Sequence, residues 1–429
     1  MITKLAWRNT WFKPLNTTLS IILLTASVAI ITVLILLQKQ FEDQFSSNAD
    51  GVDLVLGAQG SPLQLILSSV YQVDAPTGNI DYPEAKKWME NPFVKTAIPL
   101  AFGDNYHGFK IVGTTPDYLA KYDAKIVSGK IFENNFEVVI GSEIAKKLNL
   151  KAGDTFFGSH GDAEEGEVHE EHAYKIVGVA SKTGKVIDNL ILSNIQSVWA
   201  MHDSHEHAEE AEHDHGHEEG HVHEEGEAHH HDHDHDHDHE MPQISEEGKE
   251  ITAVLLKFRN KMGIVTWPRM IPQNTKMQAA SPAIEINRLF TLFGIGLQAL
   301  QYLAYGIMLI SGISIFIALY NTLKERKYEF ALLRVNGATR FQLLYLVVIE
   351  SLILCVLGFL FGTIVGRIAL TFISGSSEEE FKMSFNPFEF VWEKEGFLFL
   401  VTIFVGILAA VIPAVKAYRL NISKTLANA

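Results

Sequence analysis

The sequence predicts an α-helical membrane protein with four transmembrane helices plus a large extracytoplasmic mixed α/β domain. Three observations carry that prediction. Four apolar runs are long enough to cross a bilayer, Lys and Arg cluster on alternate sides of them, and the long stretch between the first and second runs alternates short strand and helix patterns.

Leu19–Leu37 is free of charge and close to the roughly 20 residues a spanning helix needs. It is longer than the apolar core of a cleaved signal peptide. Gln38-Lys39-Gln40-Phe41 stands where a small-x-small cleavage site would be, so the run reads as an anchor. Leu289–Leu319, Leu343–Ile373 and Phe397–Val415 follow. The second and third are each roughly 45 Å long as helix, more than a hydrocarbon core of roughly 30 Å, so they tilt or protrude. Gln298 and Gln301 favour a protruding stalk at the start of the second.

Basic residues set the orientation. Lys4, Arg8 and Lys13 precede the first run, Lys324, Arg326, Lys327, Arg334 and Arg340 lie between the second and third, and Lys416, Arg419 and Lys424 follow the fourth. The third-to-fourth connection is acidic, with Glu378, Glu379 and Glu380. By the positive-inside rule the termini and the middle connection are cytoplasmic. The expected division is a cytoplasmic N-terminal segment (1–18), first span (19–37), extracytoplasmic α/β domain (38–288), second span with stalk (289–319), cytoplasmic helix (320–342), third span (343–373), extracytoplasmic loop (374–396), fourth span (397–415) and cytoplasmic tail (416–429). The large domain is thereby expected on the outer side of the membrane.

Within the outer domain, Phe109–Val112, Glu137–Ile140, Tyr174–Val179 and Ile251–Phe258 read as strands, and Tyr82–Glu90 and Ser142–Leu148 as helices. Ala152-Gly153-Asp154 and Ser128-Gly129-Lys130 read as turns. Asp53–Pro62 carries Gly57 and Gly60, which fit either turns into the domain or, less specifically, a G-x-x-G phosphate loop. Cys355 is the only cysteine, which excludes an intrachain disulfide and a cysteine-based zinc site.

The formal net charge of −16 has a single source. Residues 202–240 hold 16 acidic residues, no Lys or Arg, and 15 of the 19 histidines. The remainder is balanced, at 35 acidic against 35 basic residues, which excludes a basic nucleic-acid-binding surface. Almost without apolar residues, the insert is expected to be disordered when empty. His205, His207, His213, His215, His217, His221, His223, His229, His230, His231, His233, His235, His237 and His239 alternate with carboxylates, a donor set suited to Zn²⁺, or to Ni²⁺ or Cu²⁺. His169 and His172 could extend that surface. His217-Glu-Glu-Gly-His221 satisfies H-E-x-x-H, but Gly216 and Gly220 oppose the rigid helix that a zinc protease needs, so no catalytic residue is assigned.

On the cytoplasmic side, Asn321–Arg340 spaces Tyr328, Ala331, Leu332 and Val335 as one face of an amphipathic helix, with Gly337 as its C-cap. Such a helix lies on lipid or docks a partner. Gly358, Gly362 and Gly366 share one face of the third span and permit close packing, within the chain or between copies. Glu350 lies in the same run, where a carboxylate needs a partner; Arg340 is the nearest candidate.

One span, a large outer domain, three further spans and Glu325–Ala338 between the second and third together resemble the permease subunits of the MacB/FtsX-type ABC transporter family. Glu329, Ala331, Leu333, Arg334, Gly337 and Ala338 fall on its E-x-A-x-L-R-x-x-G-A pattern. Leu5-Ala-Trp-Arg-Asn9 and Pro413-Ala-x-x-Ala417 fit too, while Asn421-Ile422 departs from the family's frequent Asp-Pro. The resemblance implies that the cytoplasmic helix is a coupling helix for a separate ABC ATPase, that ATP binds there and not to this chain, and that two permease copies, like or unlike, work together. It also implies an outer domain of paired small α/β subdomains moved by the ATPase cycle. Gly184-Lys185-Val186 lacks the spacing and the hydroxyl of a P-loop, in keeping with a motor on another subunit. The histidine insert adds an expected link to zinc, to a periplasmic metal-binding protein or to a lipoprotein. The competing expectation is a membrane-anchored metal sensor or buffer with no transport cycle.

Overall fold

The computed structural model describes residues 2–12, 14–159, 172–201, 245–380 and 385–420, with Ile2 and residues 376–380 described by their backbone alone. The chain falls into two units, Met1–Asp43 with Leu289–Ala429, and Gln44–Arg288. The histidine insert, with His160 and His169, lies outside the described residues.

The chain opens with a short helix, α1 (Ile2–Thr10). It buries Ala6 and Asn9 and exposes Trp7. The next helix, α2 (Pro14–Ala49), is 36 residues long and contains the first apolar run. Helix continues well past Leu37 because nothing in Gln38–Asn48 breaks it: Lys39 and Asp43 pair one turn apart, and Asn48 Nδ2 donates to the Gln44 carbonyl at 3.0 Å.

In the outer unit, β1 (Leu54–Ala58) leads into α3 (Pro62–Ser69), then β2 (Ile80–Asp81), α4 (Tyr82–Met89), the long β3 (Val94–Tyr106) and β4 (Phe109–Thr114). Next come α5 (Asp117–Lys121), β5 (Ile126–Gly129), β6 (Glu137–Ile140), α6 (Ser142–Lys147), β7 (Thr155–Phe156), β8 (Tyr174–Ala180), β9 (Ile191–Asn194) and α7 (195–201). The unit continues through β10 (Glu250–Ile251), β11 (Ala253–Phe258), α8 (Met262–Asn274) and β12 (Met277–Ala280). The predicted strand Ile251–Phe258 is therefore broken at Thr252. Its Oγ1 accepts from the Phe102 amide at 3.0 Å, and its own amide donates to Leu100 O.

The main sheet runs β12-β1-β11-β3-β4-β9-β6-β8-β5, with β7 added on β8 and β10 paired with β2 apart from it. Strand β3 belongs to two halves. Its start pairs antiparallel with β11, and its end, past Leu100, pairs with β4. One half is wholly antiparallel; the other contains the parallel pairs β4–β9 and β6–β8. Each half has its own apolar core, Leu54, Leu56, Val254, Trp267 and Ile271 in the first, and Ile111, Val138, Ile144, Ile176 and Ile191 in the second. The Gly57–Gly60 segment is structural: a Cβ on Gly57 would lie 2.3 Å from Leu65, and Ser61 caps α3 through the Gln64 amide. Gly129 closes β5 against β8 with φ +80°, so Ser128–Gly129 is strand end where a free turn was expected.

The final four helices are α9 (Pro282–Glu325), α10 (Lys327–Val335), α11 (Arg340–Glu380) and α12 (Trp392–Tyr418). Together with α2, helices α9, α11 and α12 are the four, among the described residues, that are long and apolar enough to cross a membrane. At 44 residues, α9 extends beyond its apolar run at both ends. Lipid supplies no hydrophobic drive between helices, so packing detail decides their arrangement. A Cβ on Gly358 would lie 2.5 Å from Leu24, one on Gly362 2.5 Å from Val28, and one on Gly366 2.9 Å from the Ala29 carbonyl. The glycine face of α11 thus lies on α2 of the same chain. Helix α12 crosses α11 at Gly406, whose carbonyl accepts from Ser351 Oγ at 2.7 Å. Ser20 and Ser314 share a hydrogen bond of 2.9 Å, and Ser27 Oγ donates to Ala304 O at 3.1 Å, joining α2 to α9.

Gly362→Val is expected to cost about 1–3 kcal/mol by overpacking and to lower the unfolding temperature of the detergent-solubilised protein. Unchanged stability with loss of an oligomer would instead place this face between copies.

Candidate functional site

The motif-bearing cytoplasmic connection is shorter and more firmly built than its periodicity suggested. Of the expected 320–342 helix, the first residues continue α9 to Glu325, α10 occupies only nine residues, and Arg340 already begins α11. Arg326 makes the first corner. Its side chain is buried, its Nε donates to Glu329 Oε2 at 2.7 Å, and its guanidinium packs over Phe12 and Phe330. The second corner is a Schellman turn. Gly337 adopts φ +94°, its amide donates to Arg334 O at 3.2 Å, and the Ala338 amide reaches Leu333 O at 3.0 Å. A reciprocal capping box starts the next helix: Gln342 N donates to Thr339 Oγ1 at 3.2 Å, and Thr339 N to Gln342 Oε1 at 2.8 Å.

Each motif residue has a place in this frame. Ala331 has no exposed surface and is, with Phe330, one of the two buried residues of α10. Leu333 is partly buried against the same core. Glu329 holds Arg326, and Arg334 Nη1 donates to Ala338 O at 2.8 Å. The expected single apolar face of Tyr328, Ala331, Leu332 and Val335 is therefore divided. Ala331 turns inward with Phe330, while Tyr328, Leu332 and Val335 are 52%, 47% and 59% exposed, one stripe at i, i+4 and i+7.

Around this connection the chain closes a polar contact that the sequence alone did not locate. Glu350 is buried in α11 and accepts from Asn9 Nδ2 of α1 at 2.8 Å. Arg340, the expected partner, instead lies over the Tyr418 ring at 6.0 Å. The Leu5–Asn9 segment thus supplies the partner of a membrane-buried carboxylate, and Ala414 and Ala417 of the Pro413–Ala417 ending are buried in the same core.

A second buried pair went unremarked in the sequence. Arg367 Nη2 bonds both carboxylate oxygens of Glu395, at 2.9 and 2.8 Å, and Nη1 donates to the carbonyls of Pro387 and Glu389. Glu395 is 1% exposed. The available signal was a lone Arg inside the third apolar run and two Glu, Glu393 and Glu395, in the first turn of α12. Nearby, Gln40 of α2 makes two hydrogen bonds to the backbone of Asn386, at 2.8 and 2.7 Å.

No group of three or more His, Cys, Asp or Glu able to hold a metal is found among the described residues. His107 packs edge-on against Tyr106, and His172 stacks on Phe136 at 4.7 Å.

Comparison with known proteins places this geometry. The family described as FtsX-like permease C-terminal matches residues 302–422, which hold α10, its two corners and the helices around it. The family described as MacB-like periplasmic core domain matches residues 15–213. The chain is a MacB/FtsX-type permease. It is a multi-pass protein of the inner membrane, with its α/β domain on the periplasmic side. Permeases of this family are membrane subunits of ABC transporters; they work with a cytoplasmic ABC ATPase carried on a separate subunit and often dimerise. Among solved structures, the crystal structure of the periplasmic region of MacB from Actinobacillus actinomycetemcomitans is similar at 9% identity, over 56% of this chain and 93% of that one, with a TM-score of 0.34. No curated protein matches.

Two stability outcomes follow from the permease's geometry. Gly337→Ala forces a side chain into the left-handed region and is expected to cost about 1–2 kcal/mol, seen as local loss of amide-exchange protection in α10. Glu395→Gln strips the counter-charge from Arg367 and is expected to cost about 3 kcal/mol, measured as a fall in unfolding temperature that Arg367→Met in the same chain partly restores.

Proposed function

We propose that this permease couples ATP hydrolysis on a separate cytoplasmic ATPase to movement of its periplasmic domain, with α10 as the docking element. The observation that carries the reading is the exposed stripe Tyr328, Leu332 and Val335 on a helix fixed at both corners and anchored by Phe330 and Ala331. A short helix offering hydrophobic anchors at i, i+4 and i+7 suits insertion into a groove on a partner. Fixed corners let a push on that helix pass into α9 and α11 without being absorbed by a loop. In this reading Glu329, Arg334, Gly337 and Ala338 shape the docking element, and the stripe makes the contact. A second copy of the permease, like or unlike, completes the complex.

The histidine insert motivates a finer reading: the work of the complex is linked to zinc, or to nickel or copper, directly or through a periplasmic metal-binding protein or lipoprotein. Fifteen histidines interleaved with carboxylates on one segment supply the ligands for several exchangeable ions. A metal sensor or buffer without a transport cycle would use the same segment and need no ATPase.

Leu332→Asp with Val335→Asp is expected to abolish copurification of the cognate ATPase while leaving the permease folded in the membrane. Retention of a fully coupled ATPase by that variant would sink the docking assignment. Deleting residues 202–240 separates the finer readings. Persistent ATPase coupling with loss of metal-dependent growth supports the metal link, whereas loss of metal binding with no ATPase partner found at all supports the sensor.

A further inference from the structure

One surface of the periplasmic unit has a chemistry that neither its core nor the coupling scheme uses. Helix α8 packs on the antiparallel half of the sheet through Gly263, Trp267 and Ile271. A Cβ on Gly263 would lie 2.7 Å from the Phe258 ring, and the Trp267 ring meets those of Phe258 and Trp88 at 4.8 and 5.2 Å. That packing turns the opposite face of the helix outward. On it Met262 and Val265 are 62% and 74% exposed, with the exposed Arg269 one turn further on. Phe93, 52% exposed, is held at the start of the helix, because its carbonyl accepts from the Arg259 amide at 2.9 Å. Single exposed apolar side chains are ordinary, but these share one end of one sheet.

The same surface is basic. No acidic residue occurs between Glu250 and Glu285, whereas Lys257, Arg259, Lys261, Arg269 and Lys276 all do. All are exposed, and none has an ion pair among the described residues. Of the carboxylates at this end, Asp53 Oδ2 accepts from the Phe258 amide at 2.7 Å, while Asp50 and Glu90 are exposed.

Strand register fixes which end this is. Strand β1 follows soon after α2, and its first residues face Leu256 of β11 and Ala280 of β12. Ala280 is followed at Pro282 by α9. The connections to α2 and α9 therefore leave from the end of the sheet where β11 finishes and α8 begins. Roughly 10 Å of helix separates Pro282 from Leu289, where the apolar run starts. Exposed apolar side chains interleaved with unpaired cations, at the end from which both spans depart, fit an anionic lipid surface.

We propose that Phe93 and the outer face of α8, with Met262, Val265, Lys261 and Arg269, rest the periplasmic unit on anionic lipid headgroups of the outer leaflet. The apolar side chains enter the headgroup layer, and the cations reach the phosphate oxygens around them. Attraction of this kind decays within a Debye length, roughly 10 Å at 0.1 M salt, so the contact loosens as salt rises or anionic lipid is withdrawn. The acidic segment 202–240 is a poorer occupant by position. The chain returns from it at residue 245 and enters β11 at Ala253, the opposite end of that strand.

The test places an environment-sensitive fluorophore on Val265→Cys in the full-length protein, Cys355 being fully buried, and on Lys276→Cys beyond the far end of α8 as reference. Each protein is reconstituted into phosphatidylcholine vesicles containing a brominated-chain phosphatidylcholine as quencher, with or without phosphatidylglycerol. The expected result is quenching at position 265 that is severalfold stronger with phosphatidylglycerol, reduced by salt, absent at position 276, and lost in Lys261→Glu with Arg269→Glu. Those two side chains are exposed and make no hydrogen bond to the fold among the described residues, so an unchanged unfolding temperature is expected for that variant. Quenching at 265 that is absent, equal in both compositions or unchanged by the charge reversal would overturn the proposal. A label at 265 that responds to deletion of residues 202–240 without phosphatidylglycerol gives the face to that segment instead. Protection of position 265 in whole cells, with no quenching in vesicles, gives it to an acidic protein.

Discussion

Inside a bilayer, apolar side chains gain nothing by leaving lipid for one another, so the membrane unit depends on how closely its backbones approach. The face of Gly358, Gly362 and Gly366 provides that approach. It brings α11 onto α2 so closely that Leu24, Val28 and the Ala29 carbonyl occupy the space where side chains would begin. Gly406 repeats the device where α12 meets Cys355 and Ser351 on α11. With α11 seated between α2 and α12, the serine bonds from α2 to α9 complete a unit whose members are placed by contact geometry rather than by burial alone.

Polar ties then fix the ends of α11. At the cytoplasmic end, Glu350 is satisfied by Asn9 of α1. At the other, Arg367 binds Glu395 and two carbonyls of the connection to α12, while Gln40 holds Asn386 from α2. Both carboxylates are nearly inaccessible and both partners come from a different helix. A buried charge left without its partner is strongly destabilising, so these contacts select one arrangement of helices against sliding or rotation that the smooth glycine face would tolerate.

How much of this was legible depended on the range of the interaction. The four spans, their orientation, the strands at Glu137–Ile140 and Tyr174–Val179, and the cap at Gly337 follow from local pattern, and the sequence displays them. The Asn9–Glu350 and Arg367–Glu395 pairs do not, because 341 and 28 residues separate the partners and no periodicity joins them. Ile251–Phe258 misled for the same reason, since its two pieces pair with different distant strands, β10 with β2 and β11 with β3. The face of α10 was half legible. Periodicity found Tyr328, Ala331, Leu332 and Val335 as one face, but only the folded chain shows that Ala331 turns inward with Phe330 while Tyr328, Leu332 and Val335 turn out.

That division bears on what the family motif encodes. Its specified positions, Glu329, Ala331, Leu333, Arg334, Gly337 and Ala338, all serve intrachain geometry here: an ion pair at one corner, a fully buried alanine, a guanidinium on a carbonyl, a glycine at φ +94°. The exposed positions Leu332, Val335 and Asn336 fall on its unspecified places. Under the docking role proposed above, a pattern that prescribes the shape of the helix is common to any partner that accepts that shape. Discrimination between one ATPase and another then rests on the side chains the pattern leaves free. In this permease two of those side chains, Leu332 and Val335, are large and apolar, on the second half of a helix whose shape the specified residues settle.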